Sequence, residues 1–475
     1  MIITWTIDTD KSIGRINPEI YGGFVEHLGR NIYGGIYDTF SSAADENGFR
    51  RDVLKLIREL NMPVTRYPGG CFTDLWKWED SVGPKSQRKA ALDPAWRQLE
   101  TYEFGLDEFM KWAAIANTKP LLTVNCANRF LSDTAALYEY CNFPGGTYWS
   151  DQRRRNGIEK PYGIHTWFMG NELYGQWEFG MMNAQEYGRI AREHAKLLKE
   201  FDPECRIIVC GNPHDMQWNE TVLNICGKYA DLISLHEMFY EKDKTLNEYL
   251  RSVDQFEQSI AETIRLCRKM PHSVRISVDE WIIWDFDRRM HPEEKWTTGM
   301  HLLEQDYTMK EALIAGALFS CFHRHADWIE LACIAQSVNV IAPIRTEPNG
   351  TAWKQSIFYP FMFASKYGQG TVLAITENGN DNDDLKGSAI WTDDNQLVLF
   401  LINRSDRDFD FQCHVAFAPI LIEARTLHHN DLNITNSAEA EVLTPEVLDR
   451  AETRENAVFA MLSPYSWNMI ILGYL

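Results

Sequence analysis

The sequence contains no apolar run approaching the length of about 18 residues that a helix needs to cross a membrane. Its N-terminal segment also lacks the apolar core of a secretory signal, because Asp8 and Asp10 interrupt it. Both absences predict a cytoplasmic protein that makes no contact with a membrane.

Positive charge is in short supply. Lysine and arginine together number 47 against 67 aspartate and glutamate residues, which gives a formal net charge of −20. A nucleic-acid surface needs a basic patch, so this balance argues against nucleic acid as a partner. It favours a neutral or cationic partner instead.

Motifs for metals and cofactors are also missing. The ten cysteines form no Cys-x-x-Cys pair, and several, such as Cys210 and Cys333, lie in apolar runs that predict buried free thiols. There is no P-loop, no dinucleotide fingerprint after a strand and no Gly-x-Ser-x-Gly elbow. "HRHAD" offers a His-x-His pair, His323 and His325, without a third ligand nearby. We therefore predict no metal and no cofactor.

What the sequence does contain is a regular alternation of short apolar runs and longer stretches of helical periodicity. In "FRRDVLKLIREL", for example, Val53, Leu54 and Ile57 recur on one helical face. Eight such strand–helix units follow one another between residues 18 and 368. Apolar strands alternating with helices form a parallel sheet, and eight units predict an α/β fold of the (β/α)8 TIM barrel type. A doubly wound open sheet is the alternative.

The pattern changes after about residue 370. Runs such as "GSAIWT", "QLVLFLINRS" and "YSWNMIILGYL" are short alternating strands between polar turns, which is typical of an antiparallel, jelly-roll-like β-sandwich. The N-terminal "IITWTIDTD" alternates in the same way. We therefore predict a catalytic barrel over residues 18–368. A C-terminal sandwich is predicted over residues 369–475, joined by the N-terminal strand in residues 1–17.

Two glutamates follow predicted barrel strands. Glu172, in "MGNELYGQW", closes the fourth strand, and Glu280, in "SVDEW", closes the seventh. Catalytic groups of (β/α)8 enzymes lie at the C-terminal ends of strands, and strands three units apart face each other across the mouth. Two carboxyl groups there can flank one glycosidic bond. A single glutamate after a strand is more often a helix cap or a surface residue, so the opposed pair is what favours catalysis.

Further polar and aromatic residues fall at the same predicted end of the barrel. They are Glu26, Arg66, Asn125, Asn128, His236 and Gln336, with Trp96, Trp177, Tyr240, Trp281 and Trp284 beside them. Sugar rings present apolar faces edged by hydroxyl groups, so a sugar site uses this mixture. For a histidine such as His236, a purely structural hydrogen bond is an equal alternative to contact with a ligand.

Together these motifs resemble the α-L-arabinofuranosidases of glycoside hydrolase family 51. The resemblance is carried by "GGFVEHLGRNIYGGIYD", "RYPGGCF", "MGNELYGQW", "SVDEWIIW" and "AQSVNVIAPI", and it extends into the closing "LSPYSWNMIIL". It implies a TIM barrel with a β-sandwich, a retaining double displacement, no cofactor, an intracellular location and often a homo-hexamer.

Carried over position by position, the resemblance implies that Glu172 is the acid/base and Glu280 the nucleophile. It implies a raised pKa for Glu172 in the resting enzyme and an ionised Glu280 held by Arg66. The implied sugar-binding positions are Glu26, Asn171 and Gln336, and the positions that line the site are Trp96, His236 and Trp284.

The chain departs from the family pattern beside the carboxylates. Cys71 follows "PGG" where asparagine is common, and Met238 stands where a tyrosine is usual near the nucleophile. Phe239 or Tyr240 would have to replace that tyrosine, so we count Cys71 and Tyr240 among the predicted substrate-binding residues. The other departures are Tyr174 after "NEL" and Ile282 after "DEW".

The sequence thus predicts a retaining exo-α-L-arabinofuranosidase that releases terminal arabinose from imported oligosaccharides. The same chemistry on a β-D-xyloside, a β-D-galactofuranoside or a β-glucan is the first alternative, because the departures lie beside the catalytic pair. A non-catalytic carbohydrate-binding barrel and a metal-dependent barrel hydrolase are more distant alternatives.

Overall fold

The structure is a computed structural model that describes residues 2–284, 296–378 and 383–474. Its strands are β1 (Ile2–Arg15), β2 (Gly23–Phe24), β3 (Val64–Tyr67), β4 (Ala91–Asp93), β5 (Gln98–Glu100), β6 (Lys119–Val124), β7 (Thr166–Met169), β8 (Arg206–Cys210), β9 (Leu232–Phe239), β10 (Arg275–Ile283), β11 (Ile329–Ile334), β12 (Ile344–Thr346), β13 (Ala352–Lys354), β14 (Gly370–Asn378), β15 (Leu385–Thr392), β16 (Leu397–Asn403), β17 (Phe409–His414), β18 (Pro419–Leu427), β19 (Glu446–Val447), β20 (Ala451–Arg454), β21 (Ala457–Leu462) and β22 (Ser466–Tyr474).

The α-helices are α1 (Arg51–Leu60), α2 (Leu106–Ala116), α3 (Leu131–Asn142), α4 (Tyr148–Arg155), α5 (Ala184–Phe201), α6 (Met216–Cys226), α7 (Leu246–Leu250), α8 (Ser252–Cys267), α9 (Met309–Arg324) and α10 (Phe358–Tyr367). Side-chain oxygens of Asn183 and Thr308 cap α5 and α9, where they accept backbone N–H groups that the first turn leaves free. In the described residues, no helix combines the length and the apolar character that a membrane span requires.

Eight of the strands form a parallel barrel. The order in the sheet is β11-β10-β9-β8-β7-β6-β3-β2, and neighbouring strands run parallel. The sheet closes at Gly22, whose N–H donates to the Ala332 carbonyl (2.9 Å) and whose carbonyl accepts from the Ile334 N–H (3.1 Å). The predicted (β/α)8 barrel is confirmed, and the doubly wound open sheet is wrong.

The first barrel strand is shorter than its sequence suggests. "EIYGGFVEH" predicts a strand over residues 19–27, whereas β2 covers only Gly23–Phe24. Asn17 caps a 3-10 turn over Pro18–Tyr21, and this turn takes up the first residues of the predicted strand. The chain then leaves the sheet after β2 and carries Glu26 into the mouth of the barrel.

The barrel interior is a packed core contributed by nearly every strand. It consists of Phe24, Val64, Leu121, Phe168, Ile208, Leu232, Leu331, Cys333 and Ala335. Because these apolar side chains fill the interior of the barrel, polar side chains can gather only at the carboxyl ends of the strands.

The second sheet has ten strands in the order β19-β18-β22-β16-β15-β14-β1-β17-β21-β20. β1 pairs antiparallel with β14 and parallel with β17, so the N-terminal strand lies inside this sheet. The sheet encloses a core of its own, which includes Trp5, Leu399, Phe411 and Ile470. The predicted sandwich with its N-terminal strand is confirmed, while the domain boundaries at residues 18 and 368 stay a prediction.

Helix α9 joins the barrel to the sandwich. The ring of His323 lies 2.8 Å from the Tyr21 hydroxyl and 2.9 Å from Oγ of Ser388. The ring of His325 lies 3.2 Å from the Glu257 carboxylate instead. The two histidines of "HRHAD" therefore have separate structural partners.

Candidate active site

The two predicted catalytic glutamates meet at the mouth of the barrel. Glu172 lies in the turn that follows β7, with a left-handed φ of 41° that few non-glycine residues adopt. Glu280 lies within β10 rather than at its end, opposite His236 on β9. A carboxylate oxygen of Glu172 and one of Glu280 lie within 4.8 Å of each other, and a ring nitrogen of His236 lies as close to both.

Arg66 on β3 connects the two halves of this mouth from below. Its Nη1 donates to Oε2 of Glu280 (2.9 Å), and its Nη2 donates to Oδ1 of Asn171 (2.7 Å). The buried guanidinium lies between the rings of Phe24 and Phe168, at 4.6 and 4.8 Å from their centroids. These contacts hold the cation against Glu280 and turn the oxygen of the Asn171 amide towards Arg66.

His236 lies between three acids. Its Nδ1 is 2.7 Å from Oε1 of Glu172 and 3.5 Å from Oε2 of Glu280, and its Nε2 is 3.2 Å from Oδ2 of Asp279. Burial lowers the pKa of His236, but the charge of Glu280 and the hydrogen bonds to Asp279 and Glu172 outweigh burial and raise it to about 10. The imidazole therefore holds a second proton in the resting site.

Asp279 fixes the orientation of that imidazole. Burial raises the pKa of Asp279, but the charges of Arg66 and His236 and a hydrogen bond from Ser277 hold it well below its ordinary value. An ionised Asp279 accepts from Nε2–H, which leaves Nδ1 facing Glu172. This role of Asp279 depends on its contact with His236, which the spacing of residues along the chain does not reveal.

The resting protonation of Glu172 and Glu280 differs from the one implied by the resemblance. Burial raises the pKa of Glu172, but the hydrogen bond and charge of His236 outweigh it and hold the pKa below its ordinary value. Burial, opposed by His236 and reinforced by the charge of Glu172, raises the pKa of Glu280 to about 7. The physical reason is that the imidazolium lies closer to Glu172 than to Glu280.

Glu26 lies opposite Asn171 and Glu280, and the polar space between these three residues and Gly70 is called the cup below. Oε1 of Glu26 accepts from Nε1 of Trp96 (2.9 Å) and from the Phe72 N–H (3.1 Å), and its Oε2 accepts from Nε2 of Gln336 (2.8 Å). The backbone of Gly69 passes so close that a Cβ there would lie 2.6 Å from Cγ of Glu26, so no larger residue fits.

Gly70 marks the floor of the cup. A Cβ at Gly70 would lie 3.4 Å from Nδ2 of Asn171, from Oε2 of Glu26 and from Oε2 of Glu280. Polar atoms of three predicted site residues therefore converge on one point beside Gly70.

Cys71 follows this floor and is only half-buried, whereas the other nine cysteines are buried free thiols as predicted. Its Sγ–H donates to Oε1 of Glu178 at 3.1 Å. Burial and the charge of Glu178 raise the pKa of the Cys71 thiol well above its usual range. The one hydrogen of the Cys71 thiol is therefore already donated to Glu178.

Aromatic residues line the outer part of the site. The exposed Trp177 donates its Nε1–H to Oε2 of Glu172 at 2.7 Å. Trp284 packs with Leu28 in an apolar cluster that Trp96 and Met238 also contact. Trp96 and Trp284, both predicted from the sequence, therefore lie on one rim of the site. Met238, which stands where a tyrosine is usual, lies beside them.

Other residues proposed from the sequence lie elsewhere. Phe239 is buried in the barrel core, and Tyr240 lies in a neighbouring cleft lined also by His214, Glu237 and Lys244. Trp281 is buried against Phe319. The amides of Asn125 and Asn128 donate to the carbonyl of Asp74 and hold the loop after β3. Contact of Tyr240 with substrate stays a prediction.

Two family comparisons match most of the barrel and the sandwich. The family described as α-L-arabinofuranosidase 1 domain matches residues 56–259, and the α-L-arabinofuranosidase C-terminal domain family matches residues 279–466. Each matched segment contains one of the two glutamates at the mouth: Glu172 lies in the first and Glu280 in the second.

Curated relatives and a solved structure agree with these matches. An intracellular exo-α-(1→5)-L-arabinofuranosidase of Acetivibrio thermocellus is 39% identical over 98% of this chain and 99% of its own length. One from Bacillus subtilis is 38% identical over 98% of each chain. The solved structure of a family 51 α-L-arabinofuranosidase from Bifidobacterium longum covers 99% of both chains at 32% identity, with a TM-score of 0.92.

Proposed function

Because this chain belongs to the α-L-arabinofuranosidases of glycoside hydrolase family 51, we propose that it releases terminal α-L-arabinofuranosyl residues from arabinose-containing oligosaccharides by a retaining double displacement. Membership makes it a glycoside hydrolase that acts at non-reducing ends. The stereochemical course and the role of each side chain are the proposal.

The separation of the two carboxylates carries this proposal. Oxygens of Glu172 and Glu280 come within 4.8 Å of each other. Retaining glycosidases hold their two carboxyl groups about 5–5.5 Å apart, whereas inverting ones need about 6.5–9.5 Å to admit a water molecule. The short separation supports direct attack by one carboxylate on the sugar.

In the first step, the Glu280 carboxylate attacks the anomeric carbon as the bond to the leaving oxygen breaks. Arg66 stabilises the ionised nucleophile through its 2.9 Å hydrogen bond. Glu172 gives its proton to the leaving oxygen, and a glycosyl ester on Glu280 results.

The proton that Glu172 needs lies one hydrogen bond away. Nδ1 of His236 and Oε1 of Glu172 are 2.7 Å apart, so one proton can lie on either atom. The net charge of the two residues is the same in both states. Bound sugar displaces water from this contact, and loss of water favours the neutral acid–imidazole pair over the ion pair. Substrate binding therefore shifts the proton onto Glu172.

In the second step, Glu172 and His236 take a proton from a water molecule, which attacks the ester and restores the original configuration. Glu26, Asn171 and Gln336 bind the sugar hydroxyl groups in the cup. The mechanism assigns no step to a metal, so a chelator is expected to leave the rate unchanged.

The location and assembly of the protein are also part of the proposal. Two of its relatives are named intracellular enzymes, which supports action in the cytoplasm on imported oligosaccharides. The family resemblance supports a homo-hexamer, and light scattering on the purified protein measures its mass directly.

The test combines substrate choice with stereochemistry. We expect nitrophenyl α-L-arabinofuranoside to be hydrolysed far faster than the β-D-xyloside, β-D-galactofuranoside and β-D-glucoside. The first sugar product, trapped with methanol and analysed by NMR, should be the α-arabinofuranoside. A β product would disprove the retaining mechanism, and a different preferred glycoside would move the function to the alternatives.

A further inference from the structure

A second pair of acids lies directly behind the cup. Asp74 follows β3 in a short 3-10 turn, and Glu178 lies in the loop after β7; they are 1% and 6% exposed. Oδ2 of Asp74 and Oε2 of Glu178 are buried, and no hydrogen-bond donor among the described residues reaches either atom. Neither acid forms an ion pair with a described lysine, arginine or histidine.

The remaining oxygens of this pair are occupied. Oε1 of Glu178 accepts from Sγ of Cys71 (3.1 Å) and from Nδ2 of Asn171 (3.0 Å). Asp74 accepts the backbone N–H of Phe179. The side chains of Asp74 and Glu178 form a hydrogen bond with each other, and two carboxyl groups can do so only if one of them holds a proton.

The electrostatics agree with that geometry. Burial, followed by the charge of Asp74, raises the pKa of Glu178 to about 11. Burial raises the pKa of Asp74 to about 7, and the hydrogen bond from Glu178 opposes that rise. The shared proton therefore belongs to Glu178, which donates it to an ionised Asp74 once the pH is above about 7.

A continuous chain of contacts leads from this pair to the nucleophile. A guanidinium can only donate, so Arg66 must face Oδ1 of Asn171, and Nδ2 must then face Glu178. The same Arg66 donates to Glu280 through its other terminal nitrogen. Trp177, which donates to Glu172, immediately precedes Glu178 in the chain.

We propose that Asp74 and Glu178 share one proton and act as a positioning pair, which fixes Asn171 and, through Arg66, the nucleophile Glu280. The pair also anchors the loop that brings Trp177 to Glu172. This assignment rests on the proposed function, because it gives the pair a part in preparing the nucleophile.

The substitution Glu178→Gln tests the shared proton. Glutamine presents a permanent N–H to Asp74 and keeps an oxygen for Asn171, so it copies the protonated acid. We expect it to retain kcat/KM within about threefold at pH 7, whereas Glu178→Ala, which leaves Asn171 and Asp74 unpaired, should lose about 10- to 100-fold. A glutamine variant as impaired as the alanine variant would overturn the proposal, and so would an alanine variant with unchanged activity.

The pH profile and an activity-independent measurement complete the test. Glu178→Gln should keep the alkaline limb of the wild-type profile, a readout that general loosening of the loop would not preserve. If Glu178→Ala does not fold, the glutamine variant alone decides, since loss of its activity at pH 7 contradicts a protonated Glu178.

Infrared difference spectra separate this inference from the proposed function. At a pH of about 9, above the pKa of about 7 of Glu280 and of about 8 of Asp93, the wild type should show the band of a protonated carboxyl group, and in Glu178→Gln this band should be weaker by the contribution of one group. Absence of that band in the wild type would overturn the pair. Failure of the proposed function would appear separately, as a wild type that releases no arabinose.

Discussion

The mouth of the barrel holds two buried pairs of acids that differ in the cations beside them. Glu172 and Glu280 contact His236 and Arg66, whereas Asp74 and Glu178 have no cationic partner among the described residues. With cations, a carboxylate pair can exchange charge at neutral pH and do chemistry. Without them, the pair keeps one proton between its members, and in this protein Glu178 supports Asn171 by accepting its hydrogen bond.

The largest difference between the pairs should appear when one acid of each is made neutral. Glu280→Gln removes the proposed nucleophile and is expected to lower kcat by about 10⁴-fold or more, measured with nitrophenyl α-L-arabinofuranoside. Glu178→Gln is the matched control and should stay near the wild-type rate. Residual activity of Glu280→Gln above about one per cent would show that both pairs are supports.

Removing Arg66 should make Glu280 hold a proton at neutral pH, as proposed for Glu178. Arg66→Met deprives Glu280 of the charge that lowers its pKa, so that pKa rises above about 7. If Glu280 is the nucleophile, as proposed, it must be ionised, so the acid limb of kcat/KM should move to higher pH, with a loss of about 10²- to 10³-fold at pH 7. Circular dichroism checks that the variant is folded, and an unmoved acid limb would contradict this role for Arg66.

His236→Asn tests whether His236 stores the proton of the first pair, through the alkaline limb of the pH profile of kcat/KM. In the wild type the shared proton leaves the Glu172–His236 unit only near the His236 pKa of about 10. With asparagine, Glu172 must hold the proton alone, so the alkaline limb should move to lower pH and kcat/KM should fall about 10- to 100-fold. A limb that stays in place or moves upward would mean that His236 does not store this proton.

The smallest effect concerns stability. The pKa of Glu178 is raised from 4.5 to about 11 in the folded protein, so its contribution to stability is complete below pH 4.5 and is lost as the pH rises towards 11. Glu178→Gln does not titrate, so its Tm should fall less with rising pH, by about 2–4 °C at a pH of about 9. Glu46→Gln, at an exposed loop residue, should follow the wild-type curve.

The fold and the meeting of Glu172 and Glu280 at the mouth could be predicted because both leave periodic or positional marks in the sequence. Apolar strands alternating with helices define a barrel, and strand ends define where its chemistry lies, which places Glu172 and Glu280 together. A short strand leaves a weaker sequence pattern than a long one. β2, which has two residues and follows a proline-initiated turn, shows that a short strand has no pattern of its own to reveal its ends.

The second pair could not be predicted for a physical reason. Glu178 stands between Trp177 and Phe179 in a loop, and nothing in that pattern distinguishes a buried acid from an exposed one. Its burial follows from the approach of Asp74, which is distant in sequence. The resting protonation of Glu172 was missed in the same way, because it depends on a 2.7 Å contact with His236 that spacing along the chain does not encode.

The position of β1 inside the ten-stranded sheet has a consequence for the synthesis of the chain. Ile7 pairs with Ile375, and Trp5 pairs with Cys413, so the first strand made waits for partners that leave the ribosome only after the whole barrel. At about 5–20 residues per second, that wait lasts roughly 20 to 70 seconds. Throughout it, the apolar side of β1, with Ile3, Trp5 and Ile7, is a ready target for chaperones and for other nascent chains.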